Sequence, residues 1–226
     1  MRFNSILSIT LVLAGFILSG CMRPSEVRPQ SYLPPPENTL NDLINFETAS
    51  GPEQIHPAAQ RIEQLSREVI AILSNPSISK DQKEAHFSKL LARDLDIPLI
   101  GRFVMGRHWR RANRKQRQSY MKVFRNYVIH TYSVRLGGAE VDKFEVVNSK
   151  VIGKKDILVI SNVSKARKKP VRANWRLRRR NGAYLILDLS VEGISMALTL
   201  RQEFSAILKR KGGLTTLINM LKKRNA

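Results

Sequence analysis

The chain is poor in the residues from which cross-links and catalytic centres are built. Its 226 residues include one cysteine, Cys21, so no disulfide can form within the chain. The four histidines, His56, His86, His108 and His130, are scattered, and without a second cysteine to join them no metal site is expected. Carboxylates are scarce: 18 Asp and Glu stand against 39 Lys and Arg, for a net charge of +21. General acid/base chemistry needs carboxylates or histidines placed together, and here they fall singly at helix caps and strand ends. No G-x-S-x-G elbow, P-loop, dinucleotide fingerprint or HExxH occurs. Asp188 and Glu192 flank a strand end, where a carboxylate commonly satisfies backbone donors. The reading is therefore of a non-enzymatic protein with no catalytic residue, no metal and no cofactor. What the chain does have is length and 42% apolar residues, enough for a substantial core without staples.

Residues 1–20 pair a basic start at Arg2 with an apolar stretch from Ile6 to Leu18. That is the layout of an export signal, and it is short for a spanning helix. The stretch closes on Leu18-Ser19-Gly20-Cys21, which resembles the lipobox of bacterial lipoproteins. The resemblance implies that Cys21 is the lipidated first residue of the mature chain. An uncleaved anchor or a soluble export signal would fit the same pattern. All three put the working part outside the cytoplasm.

Residues 21–60 hold Pro24, Pro29, Pro34, Pro35, Pro36, Pro52 and Pro57 with little periodicity, and read as a flexible linker. Arg2 and the linker's Arg23 and Arg28 are outnumbered by Glu26, Glu37, Asp42, Glu47 and Glu53. Residues 61–226 are thus left with 36 bases against 13 acids, or +23. The positive excess belongs to one folded domain.

Within it the hydrophobic period is first helical. Ile62, Leu65, Val69, Ile72 and Leu73 form one stripe, ended by Asn75-Pro76, and Phe87, Leu90, Leu91 and Leu95 form a second behind the Ser79/Gln82 capping pair. Asp96 and Pro98 open a shorter helix carrying Leu99, Ile100, Phe103 and Val104 to Gly106. Asn113 and Gln116 start the longest helix, with Tyr120, Val123, Phe124, Tyr127, Val128, Tyr132 and Leu136 on one face and Gly137-Gly138 at its end. The period then shortens to that of strands over 144–152, 156–164, 170–180 and 183–191, the last two joined by the hairpin signal Asn181-Gly182. Helical spacing returns over 196–209 and 214–223. The expected class is α+β: a four-stranded antiparallel sheet packed with N- and C-terminal helices around an apolar cavity.

Both faces of the strands over 156–164 and 183–191 are apolar, which a one-sided sheet does not require. One face can pack on helices while the other lines a pocket. The residues chosen for such a lining are Val104, Phe124, Val128, Tyr132, Val159, Leu187, Val191 and Phe204; pattern alone leaves a filled core equally open. Basic residues crowd two places, Arg107 to Arg117 and Lys165 to Arg180, in numbers that suit a membrane surface or an acidic partner. A nucleic-acid binder, with Trp175 and Tyr184 beside arginines, and a purely structural envelope adaptor are the competing readings.

Four stretches carry a family resemblance. They are Arg102-Phe103 with Gly106 and Trp109; Tyr120, Phe124, Tyr127, Tyr132 and Leu136; Trp175-Arg176-Leu177 with Asn181-Gly182-Ala183-Tyr184; and Asp188-Leu189-Ser190-Val191-Glu192-Gly193-Ile194-Ser195 followed by Arg201 and Phe204. Together, over roughly residues 62–223, they resemble the MlaC family of periplasmic phospholipid shuttles, also called toluene-tolerance auxiliary components and including hopanoid-associated relatives. The resemblance implies phospholipid, or a hopanoid-type lipid, as cargo rather than cofactor, held between a curved sheet and its helices. It implies as partners an inner-membrane ABC lipid transporter complex and an outer-membrane lipoprotein complex, in maintenance of outer-membrane lipid asymmetry, with no nucleic acid. The setting would be periplasmic, with Cys21 and the basic patches at one of the two membranes. The lipobox, the +23 domain and the exchange of aromatics at Trp175 and Tyr184 depart from the family pattern.

Overall fold

A computed structural model describes residues 56–165 and 168–224; the export signal, Cys21, the linker up to residue 55 and Arg167 lie outside the described residues. The first helix, α1 (Pro57–Ser74), starts earlier than the hydrophobic stripe suggests, so that residues 57–60, assigned above to the linker, are helical. The reason is local. His56 Nδ1 accepts the Ala58 amide at 3.1 Å, and Pro57 at the first turn has no amide that needs a partner.

Helix α2 (Lys80–Asp94) opens on a capping box in which Ser79 Oγ accepts the Gln82 amide and the Gln82 side chain accepts that of Ser79. Asp96 caps α3 (Ile97–Met105) by accepting the Leu99 amide at 3.1 Å. A short helix not anticipated from the sequence, α4 (Arg107–Arg111), precedes α5 (Arg114–Gly137), whose Asn113/Gln116 pair forms a second capping box. Helix α5 buries Tyr120, Val123, Phe124, Tyr127, Val128 and Tyr132 along one face. At its end a Cβ on Gly137 would come within 2.7 Å of Glu84 Cγ, so a larger residue there would force the Glu84 side chain of α2 aside.

The sheet follows as β1 (Lys143–Ile152), β2 (Asp156–Ser164), β3 (Val171–Arg180), β4 (Ala183–Val191) and β5 (Ile194–Ser195), antiparallel throughout and paired in chain order. The expected four long strands are present; β5 adds a fifth of two residues. It exists because Glu192-Gly193 turns the chain back with both φ angles positive, +49° and +80°, as Asn181-Gly182 does at +50° and +82°. The unfavourable φ of Glu192 is offset by its side chain, which accepts the Arg172 amide at 2.6 Å. Helices α6 (Met196–Leu208) and α7 (Gly213–Lys223) complete the chain.

Two bulges bend the sheet: Val147 in β1 and Leu187 in β4 have no partner in the register. Ile157, Val159, Ala173 and Leu177, which share the inner face, are buried, while Arg172 and Arg176 on the other face are exposed. The buried side chains fall into two clusters. One joins α3, α5, α6 and α7 through Val104, Tyr120, Phe124, Leu200, Phe204 and Leu217; the other joins α1 to the sheet through Ala59, Ile62, Val159, Leu177 and Ile186. The chain between α2 and α3 straps them together, since the Asp96 amide donates to Ile186 O at 3.0 Å and its carboxylate takes Arg180 Nη1 at 2.7 Å.

Candidate functional site

Between the two clusters lies a cavity of about 490 Å³, within the range of roughly 300–1,000 Å³ typical of small-ligand sites. Each wall is an apolar face of one element. Helix α1 supplies Ile62, Leu65, Val69 and Ile70, and α2 supplies Phe87, Leu90 and Leu91. Helix α5 contributes Val128, Tyr132 and Leu136, and α6 contributes Met196, Ala197 and Leu200. The floor is the inner face of the sheet: Phe144, Val163, Val171, Ala173, Trp175, Ile186, Leu189 and Val191, joined by the bulged Leu187. The sheet's bend leaves room that a flat sheet packed on helices would fill.

The polar groups in this wall are mostly engaged elsewhere. Asp94, nearly inaccessible, is ion-paired to Arg61 of α1 and to Arg93 of α2, which clamps those helices together. Asp188 accepts Ser195 Oγ at 2.5 Å and the Ala197 amide at 3.0 Å, fixing the corner between β4 and α6. Trp175 turns its indole N–H to Ser161 Oγ at 2.9 Å, so its ring presents an apolar surface. Burial pushes the Tyr132 hydroxyl well above the usual tyrosine range, and it stays neutral. Among the described residues, the rest of the cavity is lined mainly by aliphatic and aromatic side chains. The exposed members of its wall are Gly138 and Glu140, beside the half-buried Lys165 and Lys168, so it reaches solvent at the end of α5.

The model of the family described as MlaC protein matches residues 63–223. The chain belongs to the MlaC family. A solved structure with the same fold is the phospholipid-binding protein from Ralstonia solanacearum in complex with a phospholipid, at 21% sequence identity and a TM-score of 0.63. The match covers 74% of this chain and 96% of that one.

Of the eight residues singled out in the sequence, this MlaC-family chain brings four into the cavity wall: Val128, Tyr132, Leu187 and Val191. Val104, Phe124 and Phe204 lie instead in the filled helical cluster, and Val159 in the cluster beneath α1, each at most 1% exposed. Phe124 is stacked on Tyr120 and meets Phe204 edge-on, which leaves it no free face. Sequence reasoning missed the contribution of α1 and α2. Their apolar stripes were visible, but a stripe does not say whether it meets a filled core or a void.

The MlaC-family fold gathers the first basic run into one surface. Arg107, Arg110, Arg111, Arg114 and Lys115 are exposed around α4 and the start of α5. Trp109 lies between the guanidinium groups of Arg102 and Arg117, at 5.4 and 5.3 Å from its ring. Arg117 is further fixed by donating to Trp109 O at 3.0 Å. Beside this surface, Arg201 covers the partly exposed Phe103 at 4.8 Å, and Leu198 of the same helix is half exposed. On the sheet the second run is partly neutralised: Arg176 and Arg178 converge on the buried Asp156, and Arg180 on Asp96. Among the described residues no group of three or more His, Cys, Asp or Glu is placed to hold a metal ion, and no helix is long and apolar enough to cross a membrane.

Proposed function

We propose that this chain is a non-enzymatic carrier that holds a phospholipid, or a hopanoid-type lipid, by its acyl part in the cavity and passes it across the periplasm. The observation that carries the reading is the cavity itself: about 490 Å³, lined mainly by apolar side chains from α1, α2, α5, α6 and the sheet, with its exposed wall residues at one corner. Each acyl methylene withdrawn from water contributes about 0.8 kcal/mol, so ten of them supply on the order of 8 kcal/mol without any chemistry. The solved relative held a phospholipid, which supports the same reading here. In this role the chain would be the auxiliary component of an ABC-type lipid transport system, exchanging cargo between inner-membrane and outer-membrane complexes. Cys21 would tether it to one membrane, and the arginine surface around Trp109 would bring the domain onto anionic lipid.

The test is direct. Protein purified from its native envelope is extracted with organic solvent, and lipid and protein are quantified by mass spectrometry. About one lipid per chain is expected, with Cys21 acylated in the intact mass. Chains that leave the envelope without a stoichiometric lipid would overturn the proposal.

A further inference from the structure

The cavity mouth has a chemistry of its own. Among the described residues Lys165 and Lys168 are the cations in the cavity wall, and the Lys168 amide donates to Lys165 O at 3.0 Å, which keeps the two residues close together. The facing lip is the segment after α5, Gly138 to Val141, held against the first by the Asp142 amide on Ser164 O at 3.0 Å. Glu140 on that lip is ion-paired with Lys165 and is 64% exposed. The other carboxylates of the wall among the described residues, Asp94 and Asp188, are held by Arg61 and Arg93 and by Ser195 and the Ala197 amide. The same wall includes Val141, Phe144, Val163 and Val171, and Val163 is paired in the sheet with both Phe144 and Val171. Two lysines in the wall of an otherwise largely apolar cavity, beside its exposed lip, match an amphiphile whose charge follows directly on its tails.

Resting on the lipid reading above, we propose that this corner is a phosphodiester subsite: Lys165 and Lys168 bind the phosphate of the lipid head while the tails run inward past Phe144 and Val163. Glu140 is then an internal competitor, an exposed carboxylate that occupies Lys165 and gives way to the phosphate. Lysines beside a partly hydrated anion contribute a few-fold each, so the pair selects a phosphorylated head over an uncharged one by about tenfold.

The full chain, stripped of lipid, is titrated with phosphatidylglycerol and with diacylglycerol of the same acyl chains. The native chain is expected to prefer phosphatidylglycerol by about tenfold. The pair Lys165→Gln and Lys168→Gln should erase that preference, and a denaturant midpoint equal to that of the native chain shows that the variant is folded. Glu140→Gln should strengthen phosphatidylglycerol binding about two- to threefold. If both lipids bind equally to the native chain, or the double variant keeps the preference, the subsite is refuted and the carrier reading stands. Release of the phospholipid by millimolar inorganic phosphate would make the corner a free-ion site and refute its assignment to a lipid head. Failure of both lipids to bind would refute the carrier reading, and the subsite with it.

Discussion

Val128 and Phe124 lie one turn apart on the same face of α5, both buried, yet one lines the cavity and the other does not. The pair allows cargo capacity to be separated from stability. Val128→Trp directs an indole into the void and displaces on the order of three or four methylenes of acyl chain, at about 0.8 kcal/mol each. The loss, ~3 kcal/mol, corresponds to about a hundredfold in lipid affinity. Because the added atoms enter open space, the overpacking cost of roughly 1–3 kcal/mol usual in a filled core should be largely avoided. Phe124→Ala removes a ring stacked on Tyr120 and set against Phe204, and should cost about 3–5 kcal/mol of stability. The assay pairs denaturant unfolding of lipid-free protein with titration by a fluorescent phospholipid. Val128→Trp should lose binding and keep its unfolding midpoint; Phe124→Ala should lose its midpoint. A Val128→Trp variant that binds lipid as the native chain does, or that unfolds as easily as Phe124→Ala, would refute the placement of the void.

Burial raises the Asp156 carboxyl pKa, but hydrogen bonds and charge from Arg178 and Arg176 outweigh it and hold the group below the usual aspartate range. Its contribution to stability is therefore present above pH ~4 and lost progressively as the pH falls below that; Asp156→Asn should cost about 2 kcal/mol at pH 7 and progressively less as the pH falls below ~4, read from urea midpoints. Burial pushes Glu203 up to about 7, against the opposing influence of Arg224 and Arg135. A raised carboxyl favours the folded state relative to its ionised form below pH ~4.5, and this advantage disappears as the pH rises through 7. Glu203→Gln should accordingly raise stability by about 1–2 kcal/mol at pH 8.5, discounted for partial solvation, and change nothing at pH 4, as thermal melts at the two pH values would show. Reversing Arg110, Arg111 and Arg114 to Glu should weaken sedimentation with phosphatidylglycerol vesicles about a hundredfold or more, at roughly 1 kcal/mol per cation removed. A native chain that ignores such vesicles but binds oligonucleotides in a salt-sensitive way would instead favour the nucleic-acid reading.

Most of the fold was legible because its signals are local. Ser79/Gln82 and Asn113/Gln116 announce helices through hydrogen bonds that each segment makes with itself, and Asn181-Gly182 announces a hairpin through its backbone alone. The strands over 156–164 and 183–191 begin and end where the apolar, β-branched runs do. The features that escaped notice depend on partners distant in sequence. The bulge at Leu187 appears only in the register against β3, and β5 only in its pairing with β4. Helix α4 has no buried residue, so no hydrophobic stripe marks it. The candidate site was half legible for the same reason. Periodicity assigns Val104, Phe124, Val128 and Tyr132 to inward faces correctly, but whether an inward residue meets a neighbour or a gap is settled by the opposite wall.

The chamber runs along the boundary between two independently consolidated blocks, rather than through the middle of one. A hole inside a single block can enlarge only by tearing contacts apart. A gap at a boundary enlarges when one side slides or tilts against the other, with both interiors left whole, much as a vice opens without deforming its jaws. In the proposed carrier such a container would accommodate tails of different length and saturation with little penalty, and the Asp94 clamp and the Asp96 strap are where its travel would be limited.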